Sequence, residues 1–231
     1  MSQGQANANI PISGTSKVMP IFVGDYGAAD EGSYFVSTLA NTASTAVACT
    51  TQALADTNPA LYIFNGQSAG GYNIYLRYIK MRVTAVGGSN TSKNYSALVE
   101  NTAAKLTTTG TALGTPVNVN TGSAVLSKAT LNAGVNIAAS ANATSRRVGD
   151  GQVGGAVEVA FDEWVFDFGA PVMGKNLIGT ATLVSARTVP CAPVILAPGW
   201  CYTLGFWGAS QAASADTYGW ELGFIERPSG Q

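Results

Sequence analysis

The segment from Tyr72 to Val86, YNIYLRYIKMRVTAV, constrains the fold of this chain more than any other part of its sequence. Apolar side chains recur there at every second position in two successive phases, which are Ile74, Leu76 and Tyr78 and then Ile79, Met81, Val83 and Ala85. A period of two is typical of a β-strand with one buried face. Because a change of phase requires one extra residue, we predict a β-bulge near Tyr78.

A second segment, VEVAFDEWVFDFG at residues 157–169, shows the same behaviour. Its two phases, which change near Asp162, are Val157, Val159 and Phe161 and then Trp164, Phe166 and Phe168. Two long bent strands are what a curved pair of packed sheets needs. We therefore predict an all-β fold, an antiparallel β-sandwich.

The last forty residues contain three further strand signals. APVILAPGWCYTLGFWG, residues 192–208, predicts a strand, a Pro-Gly turn and a second strand, with Cys201 facing Leu196 across a hairpin. YGWELGFIERP, residues 218–228, alternates Tyr218, Trp220, Leu222 and Phe224 and predicts a central strand. Shorter strands are predicted at Tyr34–Leu39, Leu61–Asn65, Tyr95–Glu100, Val117–Val119, Ala124–Leu126, Val135–Ala138 and Thr180–Val189. A short helix is predicted at Ser44–Ala55, and helix signals elsewhere are weak.

The first twenty residues differ from the rest. They are small and polar, and Pro11 and Pro20 interrupt regular structure, so residues 1–20 are predicted to form an extended N-terminal arm. Residues 21–231 are then one β-sandwich domain with long Thr/Ala/Gly-rich loops. The N-terminus lacks the pattern of a signal peptide, and no run approaches the roughly 20 apolar residues of a membrane span. We expect synthesis in a cytoplasm and no membrane partner.

Charge is scarce in this chain. Charged residues are 11% of the sequence, against about 25% in ordinary globular proteins, and the formal net charge is −1, while the hydrophobic fraction of 46% is ordinary. The chain should therefore fold, and its neutral polar surface suits contact with neighbouring subunits. Three cysteines, Cys49, Cys191 and Cys201, are predicted to be small buried apolar residues, without a disulfide framework or a metal-binding spacing.

The sequence contains no His. Imidazole is the group used most often for acid-base catalysis and as a transition-metal ligand. We therefore predict that the protein is not an enzyme and needs no cofactor, and we assign no catalytic, cofactor-binding or metal residue.

Two acidic clusters were weighed against this prediction. The group Glu158, Asp162, Glu163 and Asp167 contains the carboxylates that a glycoside hydrolase needs, but the outer face of a half-buried strand is the expected place for Glu163 and Asp167. The Gly24–Gly32 loop offers Asp25, Asp30 and Glu31 to a hard cation such as calcium, yet it lacks the alternate-residue spacing of an EF-hand.

The Gly-rich stretch GDGQVGG, residues 149–155, lacks the Lys-Ser/Thr ending of a P-loop, so a flexible loop is predicted there. Charges are also segregated along the chain. The segment from Arg77 to Arg147 carries eight basic residues and one acid, Glu100, whereas Asp150 to Asp167 carries five acids and no base. After folding, these charges either orient one subunit against another or lie scattered over several faces of the molecule. The neutral overall balance predicts no nucleic-acid partner.

The small-residue arm, the Thr/Ala/Gly-rich loops, the low charge and the closing pair LAPGWCYTLGFW and YGWELGFIERP together resemble jelly-roll virion proteins of tailed bacteriophages, most of all head decoration or cement proteins. The likeness spans the chain from about Tyr72 onward. It implies a fold of jelly-roll type and a homotrimer seated on the capsid exterior. It also implies binding to the major capsid protein, an arm that reaches neighbours, and no small-molecule substrate.

The same sequence texture fits a second role, that of a tail or spike subunit that binds a host receptor or glycan. In that role Trp207, Tyr218 and Trp220 are the aromatic side chains that would stack on sugars. The alternation of the last strand, however, places Trp220 in the core.

Overall fold

The structure is a computed structural model that describes residues 25–38, 47–48, 56–86, 93–101, 106–138, 146–153, 160–169, 186–208 and 217–228. These residues form one helix and sixteen strands. They are α1 Asp25–Asp30, β1 Tyr34–Thr38, β2 Val47–Ala48, β3 Leu61–Asn65, β4 Tyr72–Ala85, β5 Lys93–Asn101, β6 Leu106–Thr108, β7 Thr111–Ala112, β8 Val117–Asn118, β9 Ala129–Ala133, β10 Asn136–Ile137, β11 Arg146–Val153, β12 Glu163–Phe168, β13 Ala186–Cys191, β14 Ile195–Leu196, β15 Trp200–Gly208 and β16 Thr217–Pro228. The predicted arm, residues 1–20, lies outside the described residues.

The strands form two main sheets. The large sheet has the order β13-β12-β4-β16-β1-β8, with β14 also paired to β4 and β2 to β16. The six-stranded sheet has the order β11-β5-β15-β3-β9-β7, and β6 and β10 form a separate pair. The all-β prediction is confirmed. Every strand pair among the described residues is antiparallel except β12 with β13, which is parallel.

Eight of these strands pair in a nested order. In chain order they are β1, β3, β4, β5, β11, β12, β15 and β16. The first pairs with the eighth, the second with the seventh, the third with the sixth and the fourth with the fifth. Two more antiparallel pairs, β4 with β16 and β5 with β15, join these hairpin-like pairs into the two sheets.

Buried side chains from both sheets belong to one large hydrophobic cluster. Aromatic rings meet across the interface. The ring centroids of Trp164 and Phe206 are 6.0 Å apart, and those of Phe168 and Tyr202 are 5.7 Å apart. The prediction that Tyr218, Trp220, Leu222 and Phe224 are buried in a central strand is confirmed, because β16 lies between β4 and β1 and these side chains are at most 2% exposed.

The predicted bulge in β4 is confirmed. Tyr78 pairs with Gly223 and Leu76 with Phe224, so Arg77 is the extra residue between them. Ile74 and Leu76 are buried before the bulge, and Ile79, Met81 and Val83 are buried after it. Gly223 is required opposite the bulge, since a Cβ there would overlap the ring of Tyr78.

The second long strand is shorter than predicted. The structure confirms the phase of Trp164, Phe166 and Phe168, but Phe161 lies in a turn with φ +77 and is 52% exposed. Its backbone N–H donates to the Val83 carbonyl (2.7 Å), and the Val83 N–H donates to the Asp162 carbonyl (2.8 Å). These bonds to the end of β4 fix a turn that breaks the alternation. Val157 and Val159 lie outside the described residues.

The Pro-Gly turn is present, but the hairpin prediction is wrong. Ile195 and Leu196 pair with β4 in the large sheet, whereas β15 pairs with β3 and β5 in the six-stranded sheet. Gly199, with φ +81, donates its N–H to the Asn65 carbonyl and turns the chain from one sheet to the other. Cys201 therefore pairs with Phe64 and Glu100 instead of Leu196.

The predicted helix at Ser44–Ala55 is contradicted at the two residues of that range that the structure describes. Within Ser44–Ala55, Val47–Ala48 form β2, which pairs with the start of β16, and residues 44–46 and 49–55 lie outside the described residues. The helix α1 occurs instead in the segment predicted as a loop. It ends in a Schellman motif, in which Ser33 N–H bonds to the Ala28 carbonyl and Gly32 N–H to the Ala29 carbonyl.

The other predicted short strands are present with two exceptions, whereas β6, β7 and β9 were not among the predicted strands. Ala124–Leu126 is not a strand, and of Thr180–Val189 the described part begins at Ala186. Residues 149–153, predicted as a flexible loop, belong to β11 and pair with β5. The glycines there serve packing, because a Cβ on Gly151 would press on the ring of Tyr95 at 3.0 Å.

Candidate functional site

An exposed apolar surface lies at one edge of the large sheet, where β8 ends the strand order. Val117, Val119, Val125 and Leu126 are 61%, 41%, 47% and 75% exposed. We call these four side chains the β8 edge surface. Four exposed apolar side chains within ten residues of the chain make this segment a candidate protein contact site.

Side-chain amides hold this surface in place. Asn118 donates to the Gly32 carbonyl (2.7 Å), and Asn120 donates to the Asp30 carbonyl (3.0 Å), which attaches the segment to the C-terminal end of α1. The side-chain oxygens of Asn118 and Asn120 also accept hydrogen bonds. Their donors are the backbone N–H groups two residues further on, at 2.9 and 3.0 Å. Such Asx turns fix a loop without a buried core.

Among the described residues, no strand pairs with the outer side of β8, so this sheet edge is open there. β1 pairs with β8 at only two residues, Phe35 and Val36, and β8 has two residues. A short edge strand limits non-specific pairing with strands of other molecules. It still leaves backbone N–H and C=O groups at the surface, where a specific partner can bind them.

A recess of 310 Å³ adjoins the β8 edge surface, and Val125 and the half-exposed Tyr72 are among its walls. Glu226 lies in it, is 3% exposed, and accepts a hydrogen bond from the Ser127 hydroxyl. Arg227 and Glu31 form an ion pair of 2.8 Å at the rim. The recess therefore combines apolar walls with the charged groups of Glu31, Glu226 and Arg227.

The acidic residues of the Gly24–Gly32 segment, the alternative cation loop, are divided between two ion pairs and an exposed position. Asp25 contacts Arg77 at 2.8 Å, Glu31 contacts Arg227, and Asp30 is exposed at the end of α1. Over the described ranges, no group of three Asp, Glu or Cys side chains is placed to hold a metal ion. The structure does not bring these three carboxylates together.

The basic and acidic segments of the sequence meet within one chain. Glu163 on β12 lies 3.4 Å from both Lys80 and Arg82 on β4, and Glu221 on β16 lies 4.0 Å from Lys80. Tyr78 donates to Glu221 at 2.8 Å, and its pKa is raised by burial and by this hydrogen bond. These charges are paired on the outer face of the large sheet, so they are not free to orient another subunit.

The other candidate residues are placed as follows. Glu163 and Asp167 share the outer face of β12, as predicted, and Asp162 is buried, while Glu158 lies outside the described residues. Tyr218 and Trp220 are 1% and 2% exposed and cannot stack on a sugar, whereas Trp207 is half-buried. Cys201 is buried as predicted, Cys191 is only half-buried, and Cys49 lies outside the described residues.

The β8 edge surface was not identified by sequence reasoning. The Val-Asn-Val pattern at 117–119 predicted a strand with a buried face, and the same pattern occurs in strands that are covered. The sequence feature that could have indicated exposure is the group Asn118, Asn120 and Gly122, because these residue types favour a turn at the surface.

Within the described part of the chain, no helix is long and apolar enough to span a membrane. Comparison with models of protein families, with curated proteins and with solved structures found no match. Inference about function therefore depends on the residues of this chain and their geometry.

Proposed function

We propose that this chain is a structural virion protein of a tailed bacteriophage, a head decoration or cement protein without catalytic activity. In this proposal it binds the major capsid protein lattice on the outside of the head as a homotrimer. The β8 edge surface carries the proposal, because four apolar side chains that are 41–75% exposed at an open sheet edge need a protein partner.

The nested strand order supports a jelly-roll assignment. Pairing of the first strand with the eighth, the second with the seventh and so on is the order of a jelly roll, in which one long hairpin is wrapped into two sheets. The fold recurs in viral capsid domains, but also in lectins and cupins, so the fold by itself does not choose among these functions.

The distribution of charge supports a contact through the edge rather than through the sheet. Lys80, Arg82 and Glu163 neutralise one another on the outer face of the large sheet. The centres of protein interfaces are depleted of charge, and the β8 edge surface carries none. The lack of His in the sequence supports the non-catalytic part of the proposal.

The test is binding to heads that lack this protein. Purified wild-type chain should saturate such heads and raise the temperature at which they break open. Leu126→Asp places a charge at the most exposed position of the surface and should weaken binding at least about tenfold, since an unpaired charge must be buried. Ile195→Asp, which is 55% exposed on β14, is the matched control and should bind normally.

Equal binding by the two variants would contradict the assignment of the surface. The copy number per virion, measured by quantitative mass spectrometry, tests the location. Hundreds of copies agree with a head protein. A few to a few dozen copies contradict the proposal in favour of a tail or spike subunit that binds a receptor or glycan.

A further inference from the structure

A second cavity lies between the two sheets, near β11 and β13, the edge strands at one side of the molecule. Its volume is 260 Å³. Its walls are mostly apolar and include Ala97, Val148, Phe168 and Val194. Ala97, Phe168 and Val194 are at most 5% exposed, so the cavity extends into the core.

The inner end of the cavity is polar. The Tyr202 hydroxyl is fully buried there and has no hydrogen-bond partner among the described residues. Its ring is held edge-on to Phe168, with centroids 5.7 Å apart, so the hydroxyl cannot easily turn away. A buried hydroxyl without a partner is costly in native proteins, and a ligand in the cavity can supply the missing partner.

Two groups of the cavity, the Cys191 thiol and the Tyr202 hydroxyl, are uncharged at neutral pH. Burial raises the pKa of the Cys191 thiol to about 11, and Asp167 adds to this effect. Burial also raises the pKa of Tyr202 well above its usual value, with Cys191 and Tyr95 adding to it. Asp150 lies at the margin of the cavity and is exposed. None of the described lining residues is basic, and an anion would face the Asp150 side chain.

The volume limits the size of the ligand. An apolar protein cavity of about 150 Å³ is enough to bind benzene, so 260 Å³ accommodates one ring with a small substituent. We propose that this cavity binds a small uncharged aromatic molecule with one hydrogen-bond acceptor, which accepts the proton of the Tyr202 hydroxyl. The site is separate from the β8 edge surface and does not depend on the proposed function.

The test compares three probes of similar size by calorimetry on the full wild-type chain. Acetophenone has a carbonyl acceptor, ethylbenzene has none, and benzoate is an anion. Acetophenone should bind saturably, ethylbenzene about tenfold more weakly, and benzoate not at all. In Tyr202→Phe the affinities for acetophenone and ethylbenzene should become equal.

Location is tested by filling the cavity. Val148→Phe should abolish acetophenone binding, whereas Val117→Phe, the same change at an exposed position of β8, should leave it intact. Absence of saturable acetophenone binding to the wild-type chain would overturn the proposal. Equal wild-type affinities for acetophenone and ethylbenzene, or binding that survives Val148→Phe in a folded protein, would overturn it as well.

Discussion

At the scale of single residues, two glycines with left-handed backbones, Gly32 and Gly70, differ in the space around them. Gly32 adopts φ +68 at the end of α1, where the Schellman motif requires a left-handed residue, and a Cβ there would overlap the Ser123 side chain. Gly70 has a similar backbone, with φ +81, but nothing lies within 4 Å of its added Cβ. The sequence favours a turn at both sites and does not reveal that only one is crowded.

This difference gives a matched pair of substitutions. Gly70→Ala should lower the free energy of unfolding by about 1 kcal/mol, the cost of a left-handed conformation for a residue with a Cβ. Gly32→Ala should cost about 2 kcal/mol or more, because Ser123 and the loop that carries the β8 edge surface must also move. Urea unfolding measures both values. Equal losses would show that Ser123 relaxes without cost.

At the scale of elements, β4 shows what local pattern can predict. Its apolar phases, its bulge and its buried positions all follow from alternation within one segment. The Pro-Gly segment shows the limit. Two strands and a turn were predicted correctly at 192–208, yet their partners were not, because pairing of β14 with β4 and of β15 with β3 and β5 depends on residues more than a hundred positions away.

The bulge in β4 makes deletion of Arg77 a direct test. Without the extra residue, Ile74 and Leu76 would change phase and lose burial, at about 1.5–3 kcal/mol for each side chain. We expect a loss of about 3 kcal/mol or more in thermal or urea unfolding. Arg77→Ala is the control, since it removes only the exposed ion pair with Asp25 and should cost at most about 1 kcal/mol. Similar losses in the two variants would contradict the role of the bulge.

At the scale of the whole molecule, stability depends on aromatic side chains that join the two sheets. Phe166 of β12 is fully buried, and its ring meets Tyr95 of β5 edge-on with centroids 5.2 Å apart. Phe161 is only five residues earlier, but it is half-exposed and lies 5.4 Å from the Arg82 guanidinium. The alternation predicted both as buried, and only the packing of the sheets distinguishes them.

Phe166→Ala should therefore destabilise the protein by about 3–5 kcal/mol, the cost of a large cavity between the sheets. Phe161→Ala should cost about 1 kcal/mol or less, because it removes only an exposed cation–π contact. Guanidinium unfolding followed by tryptophan fluorescence measures both, as Trp164 and Trp220 report on the core. A loss below about 1 kcal/mol for Phe166→Ala would contradict a shared core.

The sequence by itself determined that the chain is all-β, where most strands lie, that β4 is bulged, and which side of β4 and β16 is buried. These properties depend on the alternation of apolar and polar side chains over a few residues. Successive side chains of a strand point to opposite faces, and the apolar face is buried by the hydrophobic effect. Only the tertiary structure decided that β12 and β13 run parallel, that 192–208 crosses between sheets, and that Lys80 and Arg82 pair with Glu163. It also decided that Val117 to Leu126 is exposed and that Tyr202 lines a cavity. Each of these depends on which distant segments meet, and local pattern carries no information about that choice.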